Sequence, residues 1–322
     1  GPALFVAVEA ASVSVAVGDE VSLEVDTVAT TTGVKHASAV SNVTVLSSGN
    51  DVQALVTDVS NATDLLTNLD GYTARAISIT GELGAFVNAG NPQVAAPITT
   101  AGMDNPNVRL RMPEAVRAVY DLQAGCLVDL DFGVMWRFND VAQPSTVDAV
   151  EFPAVVCEMP TVVGANATSA TSVVVSFSRA LDPATVDPDD FLFDNGLTAT
   201  AVSVNGRDVT ITTTMQTSNV TYTVVVGGLT DVLGEVLGTP DDATFTGYVT
   251  VAGLIINEIN PNIGSGRDLI EFLVTSPGTV GGLTVIEDGS SNVTLATFPA
   301  VNVAAGDLIV LHLNASSATG AA

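Results

Sequence analysis

The strongest constraint on this fold is a recurring pattern of short runs in which apolar and polar residues alternate. Residues 21–25 and 209–213 are examples, and their period of two places apolar side chains on one face of an extended strand. Gly, Asn, Asp and Pro, which favour turns, separate the runs. Helical periodicity is scarce, and only residues 58–69 predict a helix of more than two turns. We therefore expect an all-β protein.

Composition narrows the class of protein further. Hydrophobic residues make up 47% of the chain and charged residues only 14%, which excludes an intrinsically disordered chain. Mean hydropathy is +0.45. The apolar residues are interrupted too often for a membrane-spanning helix, which needs about 20 consecutive apolar residues. A chain of 322 residues is long enough for several domains.

The charge balance limits the partners that we expect. Nine basic residues face 35 acidic ones, for a net charge of −26. Such a charge repels nucleic-acid phosphates and anionic lipid headgroups, so we expect neither nucleic acid nor a membrane as a general partner. It also keeps a β-rich protein soluble, and cations in salty or calcium-containing surroundings would screen its self-repulsion. We predict an extracellular or cell-surface location.

Turn signals divide the chain into four predicted β units. Their boundaries are 1–71, 72–157, 158–250 and 251–322. Gly133, inside the long apolar run 125–136, predicts a bulge or bend. Asn205-Gly206, between two alternating runs, predicts a tight hairpin. Cys126 and Cys157 are the only cysteines; they are either buried thiols or, in a secreted protein, a disulfide.

The third and fourth units resemble known β domains. Residues 176–185, 221–226 and 230–237 resemble the bacterial Ig-like domain of surface-layer proteins. Residues 254–260, 268–272, 282–288 and 298–312 resemble the lamin-tail domain, a small Ig-like fold of secreted bacterial proteins. Both resemblances imply Ig-like β folds, and the lamin-tail resemblance implies attachment or interaction rather than catalysis.

The first two units resemble the OB-like barrels of secreted nucleases. The matching residues are 4–8, 15–23 and 43–48 in the first unit, and 74–81 and 125–139 in the second. No segment resembles the catalytic domain of those nucleases, so the resemblance assigns no catalytic residues. We expect tandem OB-like barrels followed by Ig-like sandwiches.

One candidate ligand site lies in the second unit, which is the least acidic of the four. It combines arginines with aromatic residues, the pairing with which OB folds hold single strands or sugars. Its residues are Arg109, Arg111, Trp136, Arg137 and Phe138. The alternative is that the aromatic residues belong to the barrel core and that the arginines pair with nearby acids.

A second candidate is an acidic turn in the third unit. Five aspartates offer the oxygen ligands that calcium prefers: Asp182, Asp187, Asp189, Asp190 and Asp194. Asp-Pro pairs are also ordinary turn formers, so the same residues are open to a structural role. Calcium is the only cofactor that the sequence suggests.

No catalytic motif occurs in the chain. A nucleophile elbow, a phosphate-binding loop and a dinucleotide fingerprint are all missing from the sequence. We therefore predict a non-catalytic structural or adhesion protein that contacts other copies of itself or surface and matrix components, and that is able to form a layer or filament. The alternative is an accessory nucleic-acid- or polysaccharide-binding region of a secreted nuclease or phosphoesterase.

Overall fold

The computed structural model describes residues 4–7, 14–146, 148–260, 268–288 and 292–313. The run predicted at residues 4–8 is therefore described only as far as Ala7. The chain forms two compact units. The first comprises Gly1–Pro160 with Thr230–Val236, and the second comprises Thr161–Leu229 with the residues from Leu237 onward.

The first unit is built mainly of strands. Its elements are β1 (Phe5–Val6), β2 (Glu20–Thr31), β3 (Val34–Ser47), β4 (Thr57–Asp58), α1 (Leu69–Tyr72), β5 (Ala76–Leu83), β6 (Val87–Asn88), β7 (Gln93–Thr99), β8 (Arg109–Pro113), α2 (Glu114–Val119), β9 (Leu127–Phe138), β10 (Val141–Ser145) and β11 (Ala154–Val156). Single 3₁₀ turns occur at Gln53–Leu55 and Ala149–Glu151.

Five of these strands close into a barrel. The ring runs β5–β7–β8–β10–β9 and returns to β5. Strands β8 and β10 pair in parallel and the other pairs are antiparallel. Closure satisfies the edges of the strands that an open sheet leaves unpaired. The all-β class and a five-stranded barrel are thus confirmed.

Alternation along the barrel strands separates core from surface. Leu110 and Met112 of β8 are fully buried, as are Leu130 and Met135 of β9. At Gly133 the register between β9 and β5 shifts, and an added Cβ would lie only 2.8 Å from the Ser145 carbonyl oxygen. Glycine is required here because another strand's backbone approaches, which explains the bend that the sequence indicated.

The barrel expected in residues 1–71 is not seen among the described residues of that segment. Strands β1, β3 and β2 form an open three-stranded sheet in that order. Strands β2 and β3 are 12 and 14 residues long, so the alternating runs form one long hairpin. Too few residues are left in this segment for the further strands that a barrel needs. The hairpin turn has positive φ at Thr32 and Gly33, and the Asn139 N–H of the barrel donates to the Thr32 carbonyl at 2.6 Å.

The helix predicted over residues 58–69 is wrong. Strand β4 ends at Asp58, irregular turns follow, and only the single turn α1 begins at Leu69. Asp58 Oδ1 accepts hydrogen bonds from the Ser60 N–H and hydroxyl, which favours a turn over a helix. Leu65 and Leu69 are buried in the barrel core, so their spacing reflects tertiary packing.

The second unit is also built of strands. They are β12 (Val162–Ser169), β13 (Ser172–Phe177), β14 (Phe191–Phe193), β15 (Ala199–Asn205), β16 (Asp208–Thr213), β17 (Thr221–Val226), β18 (Asp242–Thr246), β19 (Gly253–Asn260), β20 (Leu269–Ser276), β21 (Gly278–Thr279), β22 (Thr284–Glu287), β23 (Val293–Thr297), β24 (Asn302–Val303) and β25 (Leu308–His312). Short 3₁₀ turns occur at Pro183–Thr185 and Pro188–Asp190.

Strands β12 to β18 form a sandwich of two sheets. One sheet has the order β12–β13–β16–β15 and the other β14–β17–β18. Val175 and Ile211 from the first sheet share a buried core with Val224 and Phe245 from the second. The predicted hairpin joins β15 to β16, with Asn205 paired to Asp208 and positive φ at Gly206.

Three small sheets follow the sandwich. They are β19–β20–β25, β21–β24 and β22–β23. Among the described residues, Ala252, Val274 and Val280 form one small buried cluster, and Ile270 and Phe272 of β20 are also buried. Large apolar side chains remain exposed on several of these strands.

Candidate functional site

The candidate site lies on the outer face of barrel strands β8, β10 and β9. Arg111 of β8 pairs in register with Ser145 of β10, which in turn pairs with Val134 of β9. Leu110 and Met112, on either side of Arg111, point into the core. Because alternate residues of a strand face opposite sides, Arg111, Ser145 and Val134 share the outer surface.

A cavity of about 860 Å³ lies over this face. It is bounded by the barrel strands, by the segment around β1 and by the turn after β10. Most of its wall is apolar, and includes Leu4, Phe5, Val6, Phe132, Val134 and Trp136. Its polar side chains are Gln53, Arg111, Ser145, Thr146, Asp148 and Glu151. Cavities of this size and composition are typical of small-molecule sites.

Among the described residues that line the cavity, Arg111 is the only basic one. It is half-buried. None of the ion pairs or side-chain hydrogen bonds of the described residues involves its guanidinium. Burial lowers its pKa from the ordinary value. By contrast, the guanidinium of Arg117, on α2, is paired with Glu114 at 2.5 Å.

Two carboxylates line the same cavity. Desolvation raises the pKa of Glu151, and the negative charges of Asp148 and Asp131 raise it further. Asp148 begins the 3₁₀ turn by accepting a hydrogen bond from the Val150 N–H at 3.1 Å. The lining therefore contains one unpaired cation and a pair of mutually repelling acids.

Aromatic rings form part of the apolar wall. The ring of Phe5 lies 4.6 Å from that of Trp136, with an interplanar angle of 68°. Phe5 also meets His36 edge to face at 6.4 Å. His36 is 8% exposed and its Nδ1 lies 3.1 Å from the Val34 carbonyl oxygen, so this histidine has a packing role.

Only two of the five predicted ligand residues, Arg111 and Trp136, line the cavity. Arg109 donates from Nε to the Pro106 carbonyl at 2.7 Å. Arg137 is paired with Asp70 and Asp140 and donates to the Asn139 carbonyl, and Phe138 is 52% exposed outside the cavity. The arginines and aromatic residues thus do not form one continuous platform.

Sequence reasoning missed the partners that complete the cavity. Phe5, Asp148 and Glu151 lie far from Arg111 along the chain and belong to no motif. Phe132 lies within the run 125–136 that was assigned to a strand. No signal in a single sequence indicates that these segments meet.

Four of the five aspartates predicted to bind calcium make hydrogen bonds with the backbone, and three of these cap turns. Asp182 Oδ1 accepts from the Ala184 N–H at 3.0 Å, and Asp194 Oδ1 accepts from the Thr223 N–H at 2.8 Å. Asp187 and Asp190 form a capping box. Within the described ranges, no three Asp, Glu, His or Cys side chains converge on a point that would hold a metal ion.

Cys126 and Cys157 are joined by a disulfide. Cys126 is buried in the barrel core just before β9, and Cys157 follows β11, which pairs with β9. The bond closes a sequence separation of 31 residues and ties the end of the first unit to its barrel.

Comparison with family models assigns the sandwich. Residues 148–247 match the bacterial Ig-like domain. The Ig-like resemblance predicted for the third unit is thereby confirmed. A second model, described only as a protein second domain, matches residues 252–322. The lamin-tail and nuclease resemblances gain no match and stay predictions. No curated protein matches the chain.

Solved structures of surface-layer proteins show partial similarity. The N-terminal part of the bacterial S-layer protein SbsC is 20% identical, covers 47% of this chain and 45% of its own, and has a TM-score of 0.29. The S-layer protein rSbsC(31-844) and domains 1-6 of surface layer protein SbsC each give 17% identity, 48% and 32% coverage and a TM-score of 0.29. This chain thus spans less than half of each, and these scores are too low to carry an argument. Among the described residues no helix is long and apolar enough to cross a membrane.

Proposed function

We propose that this chain is a non-catalytic structural component of a cell surface whose β domains act as spacers and contact modules. The Ig-like match and the all-β architecture support this role. The single observation that carries it is the apolar face of the sheet β19–β20–β25.

That face presents apolar side chains from all three strands. Ile255 of β19 and Leu308 of β25 both pair with Leu273 of β20, and therefore lie on the same face. Ile255 is 50% exposed and Leu308 is 56% exposed. Val310, two residues from Leu308, is 44% exposed and lies on the same side. Exposed apolar side chains grouped on one face of a sheet are typical of protein interaction sites.

Strand edges reinforce the argument. In the part of the chain that the structure describes, β19 and β25 pair on one side only, so each offers backbone groups to another strand. Edge pairing between copies would bury the exposed isoleucines and leucines. The net charge of −26 would oppose association between copies, and Glu271, which pairs with Val310 on this face, adds to that repulsion, so we expect cations to favour assembly.

Sedimentation velocity at rising protein concentration tests the proposal. We expect the chain to form oligomers, and we expect the double variant Ile255→Asp/Leu308→Asp to stay monomeric. Val163→Asp is the matched control, because Val163 is 68% exposed on β12 of the Ig-like sandwich. Circular dichroism verifies that each variant is folded. A wild-type chain that remains monomeric at high concentration, with or without calcium, would overturn the assembly role.

A second candidate function is the accessory binding region of a secreted nuclease or phosphoesterase. The observation in its favour is that Arg111 and Trp136 share one cavity. Asp148 and Glu151 in the same lining would repel a polynucleotide, which leaves a polysaccharide as the better ligand of this class. Equal binding of oligosaccharides by the wild type and by Arg111→Ala would eliminate it.

A further inference from the structure

The geometry points to the cavity over β8, β10 and β9 as a binding site for a small molecule with a hydrocarbon body and one carboxylate group. Four observations carry the inference: the unpaired cation, the apolar wall, the position of the acids and the size. It does not depend on the assembly role proposed above.

Arg111 supplies the anchor. A cation that is partly removed from water loses hydration, and folded proteins normally compensate with a counter-ion or hydrogen bonds. None of the described residues provides either to this guanidinium, although Arg117 and Arg137 in the same unit are both paired. A ligand carboxylate would serve as this counter-ion, because the planar guanidinium donates two parallel hydrogen bonds to carboxylate oxygens.

The apolar wall selects the body of the ligand. Leu4, Phe5 and Val6 come from the segment of β1, while Val134 and Trp136 come from the barrel. These side chains have no hydrogen-bonding capacity except for the Trp136 indole N–H. A hydrocarbon chain would remove this surface from water, whereas sugar hydroxyls placed against this part of the wall would find no hydrogen-bond partners there.

The acids fix the orientation. Asp148 and Glu151 line the cavity, but neither is within ion-pair distance of Arg111. Their negative charges would repel a ligand carboxylate placed beside them. The ligand headgroup is therefore directed to Arg111. The volume of about 860 Å³ falls in the usual range for small-molecule sites, roughly 300–1,000 Å³.

The chain contains its own optical probe for the test. Trp136 is the only tryptophan and lines the cavity, so its fluorescence reports occupancy directly. Sodium decanoate, kept below its micelle concentration, is titrated into the wild-type chain beside decanamide, its uncharged analogue. We expect saturable fluorescence changes with both, and about tenfold tighter binding of decanoate, the value of one charge-assisted hydrogen-bonding contact. No saturable change, or equal affinity for the two probes, would overturn the proposal.

Variants then assign the anchor. Arg111→Gln is expected to lose the preference for decanoate while retaining its affinity for decanamide. Arg109→Gln is the matched control, because Arg109 lies on the same strand and outside the cavity lining. Val52→Phe, which fills part of the cavity, should weaken both probes. Equal effects of the two arginine variants would contradict the inference, and the wild-type comparison of acid with amide decides the matter if Arg111→Gln does not fold.

The binding proposal and the assembly proposal are tested independently of each other. Titration of the monomeric Ile255→Asp/Leu308→Asp variant should give the same decanoate affinity as the wild type, since neither substituted residue lines the cavity. Loss of binding in that variant would show that the fluorescence change reports association between copies, and would overturn the cavity site.

Discussion

The barrel of the first unit and the small sheets at the end of the second bury their apolar residues very differently. Nineteen apolar residues of the described barrel region form one buried core, whereas the described sheets after the sandwich have five buried apolar residues, of which only three form a common cluster. Both regions have strands rich in Val, Ile and Leu. The difference is that the barrel closes on itself, while each small sheet leaves apolar faces and edges open.

The comparison teaches that strand composition does not determine which faces are covered. Closure gives every strand of the barrel two partners and encloses one side of the sheet completely. Open sheets of two or three strands have too little surface to enclose a core by themselves. Their exposed residues therefore suggest contact surfaces, while the corresponding barrel residues stabilise the fold.

The largest expected effect separates these two roles. Leu110→Ala removes a fully buried barrel side chain and should lower the free energy of unfolding by about 2–5 kcal/mol. Leu308→Ala, at a side chain that is 56% exposed, should change it by less than about 0.5 kcal/mol. Chemical denaturation of both variants measures the contrast. Similar losses would show that the sheet face is part of a core.

Reduction of the disulfide should come next in size. Breaking the bond between Cys126 and Cys157 is expected to destabilise the first unit by about 2–4 kcal/mol, because the unfolded chain regains freedom. Calorimetry with and without a reductant measures the shift. The second unit serves as the internal control because it contains no cysteine. A change in melting temperature of the second unit alone would contradict the stabilising role of the disulfide in the first unit.

Gly133→Ala tests whether closure depends on the bend in β9. The added Cβ would lie 2.8 Å from the Ser145 carbonyl oxygen, so strand β10 must move, at an expected cost of about 1–3 kcal/mol. Gly164→Ala on β12 is the matched control, since a Cβ there meets no atom within 4 Å. Thermal melts of the two variants should differ clearly. Equal melting temperatures would mean that the barrel accommodates the methyl group.

Acid sensitivity should give the smallest effect. The side-chain hydrogen bond from Ser60, and then the one from its backbone, lower the pKa of Asp58. A carboxyl whose pKa is lower in the folded state stabilises the fold above its unfolded pKa of about 4, and this contribution is lost as pH falls through the folded value. Asp58→Asn should therefore flatten the loss of stability between about pH 5 and pH 2.

Glu82→Gln controls for the general relief of charge repulsion, because Glu82 is an exposed carboxylate on strand β5. Denaturation curves at several pH values compare the two variants with the wild type. An identical pH dependence in Asp58→Asn and the wild type would show that Asp58 does not contribute to the loss of stability in acid.

Local signals predicted local structure well. The pair Asn205-Gly206 gave the hairpin between β15 and β16, because only a few residues tolerate positive φ in a tight turn. Gly133 marked the bend of β9 for a different reason, because only glycine leaves room for the nearby backbone of β10. The order Arg109, Leu110, Arg111 alternates in the same way as the structure, in which Leu110 is buried and both arginines are partly exposed.

Long-range arrangements could not be read from the sequence. Leu65 and Leu69 suggested a helix because a spacing of four residues does not distinguish one helical face from a loop that packs on a barrel. Two residues of the cavity wall, Arg111 and Trp136, were predicted from the sequence as ligand residues. The cavity's other wall depends on the pairing of β1 with β3, which places Phe5 against Trp136. That parallel pairing leaves no trace in local periodicity.

The hairpin of β2 and β3 contacts the barrel at its turn, whereas its open end is closed by local hydrogen bonds such as that from the Asn50 N–H to the Gly18 carbonyl. Thr32 is bound by Asn139, and Val34, His36 and Ala37 beside the turn are buried, whereas Val21, Val25, Val45 and Leu46 farther along are exposed. Most β-ribbons fray at the tip, and this one has the reverse gradient. Amide protons should exchange with deuterium fastest where the two strands enter the ribbon and slowest near its tip, so a pulling force applied at the entry would peel the strands apart one hydrogen bond at a time.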